Sequence, residues 1–147
     1  TKVKTQSSER DVPLHPVLVE TLDFVKYVQF VQKKGHERVF HELPLNPKKN
    51  TYHKNVGRFF NERYLKKVGI KPSDRKLSFH SFRHSVETHL TAKNVNPRYI
   101  DFLQGHAQEG VGGDVYMKGI PPEQLLKNCV QKIDWEIDFS FLKIKWN

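Results

Sequence analysis

The chain has 147 residues, 37% hydrophobic and 12% aromatic: enough for one compact domain with a real core, thin for two, and a folding composition rather than a disordered one. No run approaches the roughly 18 consecutive apolar residues of a membrane-spanning helix, and no signal-peptide pattern opens the chain. The formal net charge is +9, but residues 46–84 alone hold eleven Lys/Arg against Glu62 and Asp74; removing these from totals of 25 and 16 leaves fourteen of each sign elsewhere. The whole excess sits in about a quarter of the chain, which points to a polyanionic partner, nucleic acid above all.

In chain order, Lys2-Val3-Lys4 and Asp11-Val12-Pro13-Leu14 flank the polar turn Gln6-Ser7-Ser8-Glu9 and predict a β-hairpin over 2–14, with Pro13 at an edge or strand end. Pro16 opens a helix over 16–34, with Val17, Leu18, Leu22, Val25, Val28 and Phe30–Val31 as its apolar stripe and Gly35 as its stop. Val39-Phe40 reads as a strand remnant or a packed loop. A basic helix over about 50–67, ended by Gly69, turns Val56, Phe59, Phe60 and Tyr64 inward. Ser78 or Ser81 caps a helix to about 93, Asn96-Pro97 starts another that ends near Gln104 before Gly105, and a loop from Gly110 to Gly113 leads to Tyr116. Pro121-Pro122-Glu123 opens a helix to about Ile133. The tail from Trp135 to Trp146 alternates like a strand, through Phe139, Phe141, Ile144 and Trp146. The single cysteine, Cys129, excludes an internal disulfide and a cysteine-rich zinc module, and reads as a small core residue.

Four places could serve a phosphate substrate: Lys4 beside the hairpin turn, His80-Ser81-Phe82-Arg83-His84 at a helix start, Gly105-His106, and Tyr116. Taken singly, each has a plain structural reading. A lysine beside a turn is solvated, His and Arg three apart form a polar helix edge, Gly-His ends a helix, and a tyrosine after a glycine-rich loop is a half-buried anchor. Their order and spacing carry the functional reading.

Lys4-Thr5, Ser8-Glu9-Arg10-Asp11-Val12-Pro13-Leu14, Leu77-Ser78-Phe79-His80-Ser81-Phe82-Arg83-His84-Ser85, Leu103-x-Gly105-His106 and Val115-Tyr116 together resemble the catalytic domain of tyrosine recombinases, the phage integrase family. The resemblance implies a mainly α fold with a small β-hairpin or sheet (α+β), like the DNA breaking-rejoining enzymes. It reads residues 1–147 as a partial catalytic domain: hairpin 2–14, helical core 16–134 and strand-like tail 135–147. It further implies site-specific recombination or integration through a 3′-phosphotyrosyl link, with Tyr116 as nucleophile. Arg83 and His106 would hold the phosphate, His80 would accept the proton or position the phosphate, and Lys4 would protonate the departing 5′-oxygen.

The implied reaction needs no metal and no cofactor. The implied partners are double-stranded DNA and further copies of the protein in a synaptic tetramer, at an intracellular, cytoplasmic location with no membrane. Lys48, Lys49, Lys54, Arg58 and Lys76 are the expected DNA contacts. The family's first catalytic arginine lies upstream of the lysine hairpin, and no residue here matches it. The chain, which opens at Thr1, is therefore expected to be a fragment of a longer protein and inactive alone.

The chemistry is consistent with these residue types. In-line attack on a phosphodiester builds negative charge on the non-bridging oxygens, which an always-charged guanidinium binds bidentately. A tyrosine with an ordinary pKa near 10 needs a base or a cationic setting to act near neutrality. His84, one turn from His80, reads as a neighbour of the site or as core-facing. The His80-x-x-x-His84 pair could instead share a zinc ion, although no third ligand follows at motif spacing. The tail could pack on its own hairpin or dock on a neighbouring protomer. Two alternatives stand beside the recombinase: a non-catalytic DNA-binding or assembly module derived from one, and a type IB topoisomerase-like enzyme that rejoins the original ends.

Overall fold

The computed structural model describes residues 10–71, 77–106 and 120–143. These residues are mainly helical. A π-helical turn, Val17–Thr21, precedes α1 (Phe24–Lys33). A continuous helical run follows: α2 (Lys54–Arg58), a π-helical segment Phe59–Tyr64, and α3 (Leu65–Lys67). Then come α4 (Ser81–Ala92), α5 (Pro97–Gln104) and α6 (Pro122–Asn128), with 3-10 turns at Val130–Lys132 and Ser140–Leu142.

The core is built by the second half of the chain. Leu90 from α4, Val95, Ile100 and Phe102 from α5, and Leu125, Cys129 and Val130 around α6 form one buried cluster. Leu90, Leu125 and Cys129 are wholly excluded from solvent. Cys129 is thus the core residue expected of it, and burial pushes its thiol pKa up to about 11. α5 owes its sharp limits to its ends. The Asn96 side chain accepts the Arg98 N–H at 2.9 Å, Pro97 occupies the first turn, and Gly105 closes the helix at φ +68°.

Several expectations need correction. Among the described residues there is no strand, only an isolated bridge between Asn46 and Thr51. Asp11–Leu14 carries no ladder, and residues 2–9 of the expected hairpin lie outside the described residues. The strand-like tail is instead a series of side-chain-anchored turns as far as Lys143. Asp134 Oδ1 accepts the Glu136 N–H at 2.9 Å, and Asp138 Oδ1 accepts the Ser140 N–H at 2.8 Å. Such bonds take the backbone donors that a strand would need. Ile144 and Trp146 lie outside the described residues. Val39 and Phe40 sit in a turn.

The helix expected over 16–34 breaks at Asp23, which adopts φ +51° and draws Lys26 Nζ to 3.3 Å. The final helix ends at Asn128, before the 3-10 turn. The basic helix begins at Lys54 and does not turn Phe59 and Tyr64 inward: they are 56% and 44% exposed, and Leu65 is the buried residue of the run.

Candidate active site

α4 starts immediately after His80, and its first turn carries Arg83. The Arg83 N–H donates to the His80 carbonyl at 3.0 Å, which ties the two residues into one turn. Neither Ser78 nor Ser81 caps the helix through its side chain in the usual sense. Instead Ser81 Oγ reaches back to accept the Ser78 N–H at 3.0 Å, fixing the approach to the turn. His80 is exposed and Arg83 half-buried. His84 is exposed rather than core-facing; its ring meets that of His80 edge-on, centroids 5.3 Å apart.

The end of α5 joins this turn. Gln104, 6% exposed, donates Nε2–H to the Arg83 carbonyl at 3.0 Å, so the α5 terminus is bonded to the first turn of α4. Two residues on, the His106 N–H donates to the Asp101 carbonyl at 3.0 Å, while His106 Nδ1 lies 3.3 Å from Asp101 Oδ1. A carboxylate at one ring nitrogen sets the tautomer and orientation of the imidazole and leaves Nε2 to meet a ligand. His106 is half-exposed, so its ring is open to a ligand.

Arg10 also reaches this place. Its Nε and Nη2 donate to the Leu103 carbonyl at 3.2 and 2.9 Å. Partial burial and the positive field of Arg83 both press the Arg10 pKa downward, so two guanidinium groups stand within electrostatic reach of each other. The structure therefore brings His80, Arg83 and His106 into one region at the junction of α4 and α5. Lys4 and Tyr116 lie outside the described residues. Sequence reasoning missed Asp101 and Gln104, which no motif marks, and saw Arg10 only as one letter of its motif.

The basic segment is docked onto the same helix start. Phe60 packs against Phe79 and Phe82 at centroid distances of 5.4 and 5.3 Å, and the Phe79 N–H donates to Asn61 Oδ1 at 2.8 Å. Lys48, Lys49 and Lys54 line a shallow cleft of about 330 Å³ with Asn46, Thr51 and His53. Arg58 and Arg63 line a neighbouring cleft of about 350 Å³. Arg58 spends part of its charge on Glu62, Nε to Oε2 at 3.0 Å. Lys76 lies outside the described residues. Among the described residues no helix is long and apolar enough to cross a membrane.

Clustered cations and imidazoles beside a basic face have the chemistry that suits a phosphate-bearing partner. The model of the phage integrase family matches residues 1–118, and the chain belongs to that family, among DNA-recombining proteins of the tyrosine recombinase type. Comparison with curated proteins and with solved structures gave no match.

Proposed function

We propose that the protein cleaves and rejoins DNA at specific sites through Tyr116. The Tyr116 oxygen attacks the scissile phosphorus, the bond from phosphorus to the 5′-oxygen breaks, and a 3′-phosphotyrosyl link forms. The phenolic proton passes to His80, and Lys4 supplies a proton to the departing 5′-oxygen. Arg83 and His106 neutralise the charge that develops on the non-bridging oxygens. The phosphoester energy is kept in the link, so rejoining needs only a 5′-hydroxyl as nucleophile.

The observation that supports this reading is the bond from Gln104, two residues before His106, to the Arg83 carbonyl in the first turn of α4, in a chain of this family. The Lys48–Arg58 face beside that turn is suited to track the flanking duplex. The family's first arginine is the one role that no residue of this sequence is given. The test is a duplex nicked near the cleavage site, which traps the covalent complex. The intact protein should form a protein–DNA adduct that disappears in Tyr116→Phe; an adduct that survives the substitution ends the assignment.

A further inference from the structure

The reaction as written leaves Arg10 without a part, yet its contacts are specific. The side chain crosses 93 positions of sequence to put Nε and Nη2 on one acceptor, the Leu103 carbonyl. That carbonyl belongs to the last turn of α5, where a helix leaves its carbonyls without backbone partners and where a cation is favoured. The neighbouring residue makes room for it. Gly105 has φ +68°, a backbone conformation that favours glycine, and a Cβ there would fall 2.8 Å from Arg10 Cζ, so the guanidinium would have to shift to admit one.

Three ties thus meet within the six residues from Asp101 to His106: Arg10 on Leu103, Gln104 on Arg83, and Asp101 on His106. Without the Arg10 tie, the segment around Gly105 would be held by the Gln104 and Asp101 ties alone. We infer that Arg10 is a positioning residue of the strand-cleavage site: it locks the end of α5 and so holds His106 in register with Arg83, without itself touching the DNA. The inference rests on the function proposed above for its kinetic consequence, but not for its structural one.

The experiment uses the intact protein and Arg10→Ala, with three readouts: single-turnover adduct formation on the nicked duplex, DNA affinity as a function of salt, and amide hydrogen exchange. Adduct formation should slow by roughly ten- to a hundredfold, the loss expected of a misplaced reacting group. Affinity should stay within about twofold, with an unchanged salt slope, since every phosphate-binding side chain is retained. The Gly105 and His106 amides should exchange about tenfold faster, while those of Val86–Leu90 hold. Gly105→Ala should cost less in the Arg10→Ala background than alone, because the steric part of its penalty is gone.

Weakened binding with a shallower salt slope would make Arg10 a phosphate contact and overturn the inference. So would unchanged exchange at positions 105 and 106. If Arg10→Ala fails to fold, Arg10→Lys, which keeps the charge and loses the fork, carries the same three readouts. Absence of any Tyr116-dependent adduct from the unsubstituted protein would count against the proposed function alone, and the exchange measurement would still decide the role of Arg10.

Discussion

At the residue scale, His106 owes its setting to Asp101, which accepts its backbone N–H and stands 3.3 Å from its Nδ1. An asparagine there can present its amide nitrogen and favour the wrong tautomer. Asp101→Asn should therefore slow adduct formation by at least about tenfold, as outer partners of functional histidines do, with the melting temperature nearly unchanged. An unaltered rate would remove Asp101 from the site. Cys129 offers a reading of the core rather than of the chemistry. Burial raises its pKa from 9.0 to about 11, so the folded state holds the proton more tightly than the unfolded chain does. The associated stability is complete below pH 9 and is lost as pH rises through about 11. Denaturation across that range should show a decline that Cys129→Ala lacks relative to its own value at pH 8. Equal slopes for the two proteins would contradict the burial.

At the element scale, α5 is the best-determined helix because its ends are chemically specified. Asn96→Ala should cost about 1 kcal/mol in denaturant unfolding, the usual loss of an N-terminal side-chain cap. A cost near zero would mean that the 2.9 Å bond to the Arg98 N–H does not stabilise the helix start. These ends were legible in the sequence, since Asn-Pro and Gly act locally. Other boundaries were not, for reasons the elements themselves show. The basic run winds through a π-helical segment, whose i→i+5 bonding shifts the inward face. Phe60, expected inward, is half-buried and Leu65, five residues on, is buried, whereas Val56, Phe59 and Tyr64, also expected inward, are exposed. The tail alternates in hydrophobicity, yet the carboxylates of Asp134 and Asp138 bend it into turns. Alternation alone cannot report that bending.

At the scale of the whole molecule, the two halves of the site are joined by packing. The Phe60–Phe79–Phe82 cluster seats the basic run against the start of α4. The family was legible because the order and spacing of the motif residues carried the resemblance, which the family match over residues 1–118 bears out. The ties that hold them, Gln104 to Arg83 and Arg10 to Leu103, were not, because bonds across 21 and 93 positions leave no local pattern. Changing Lys48, Lys49 and Lys54 together to glutamine should flatten the salt dependence of DNA binding by up to about three log–log units, near 0.9 for each phosphate no longer neutralised. An unchanged slope would move the DNA to another face.

The most direct measurement remains covalent capture on the nicked duplex by the intact protein. The proposed site predicts an adduct that Tyr116→Phe abolishes and that Arg83→Ala reduces by at least about a hundredfold, the scale of losing one preorganised donor to the developing oxyanion. An adduct that persists in Tyr116→Phe, or full-rate cleavage in Arg83→Ala, would contradict it.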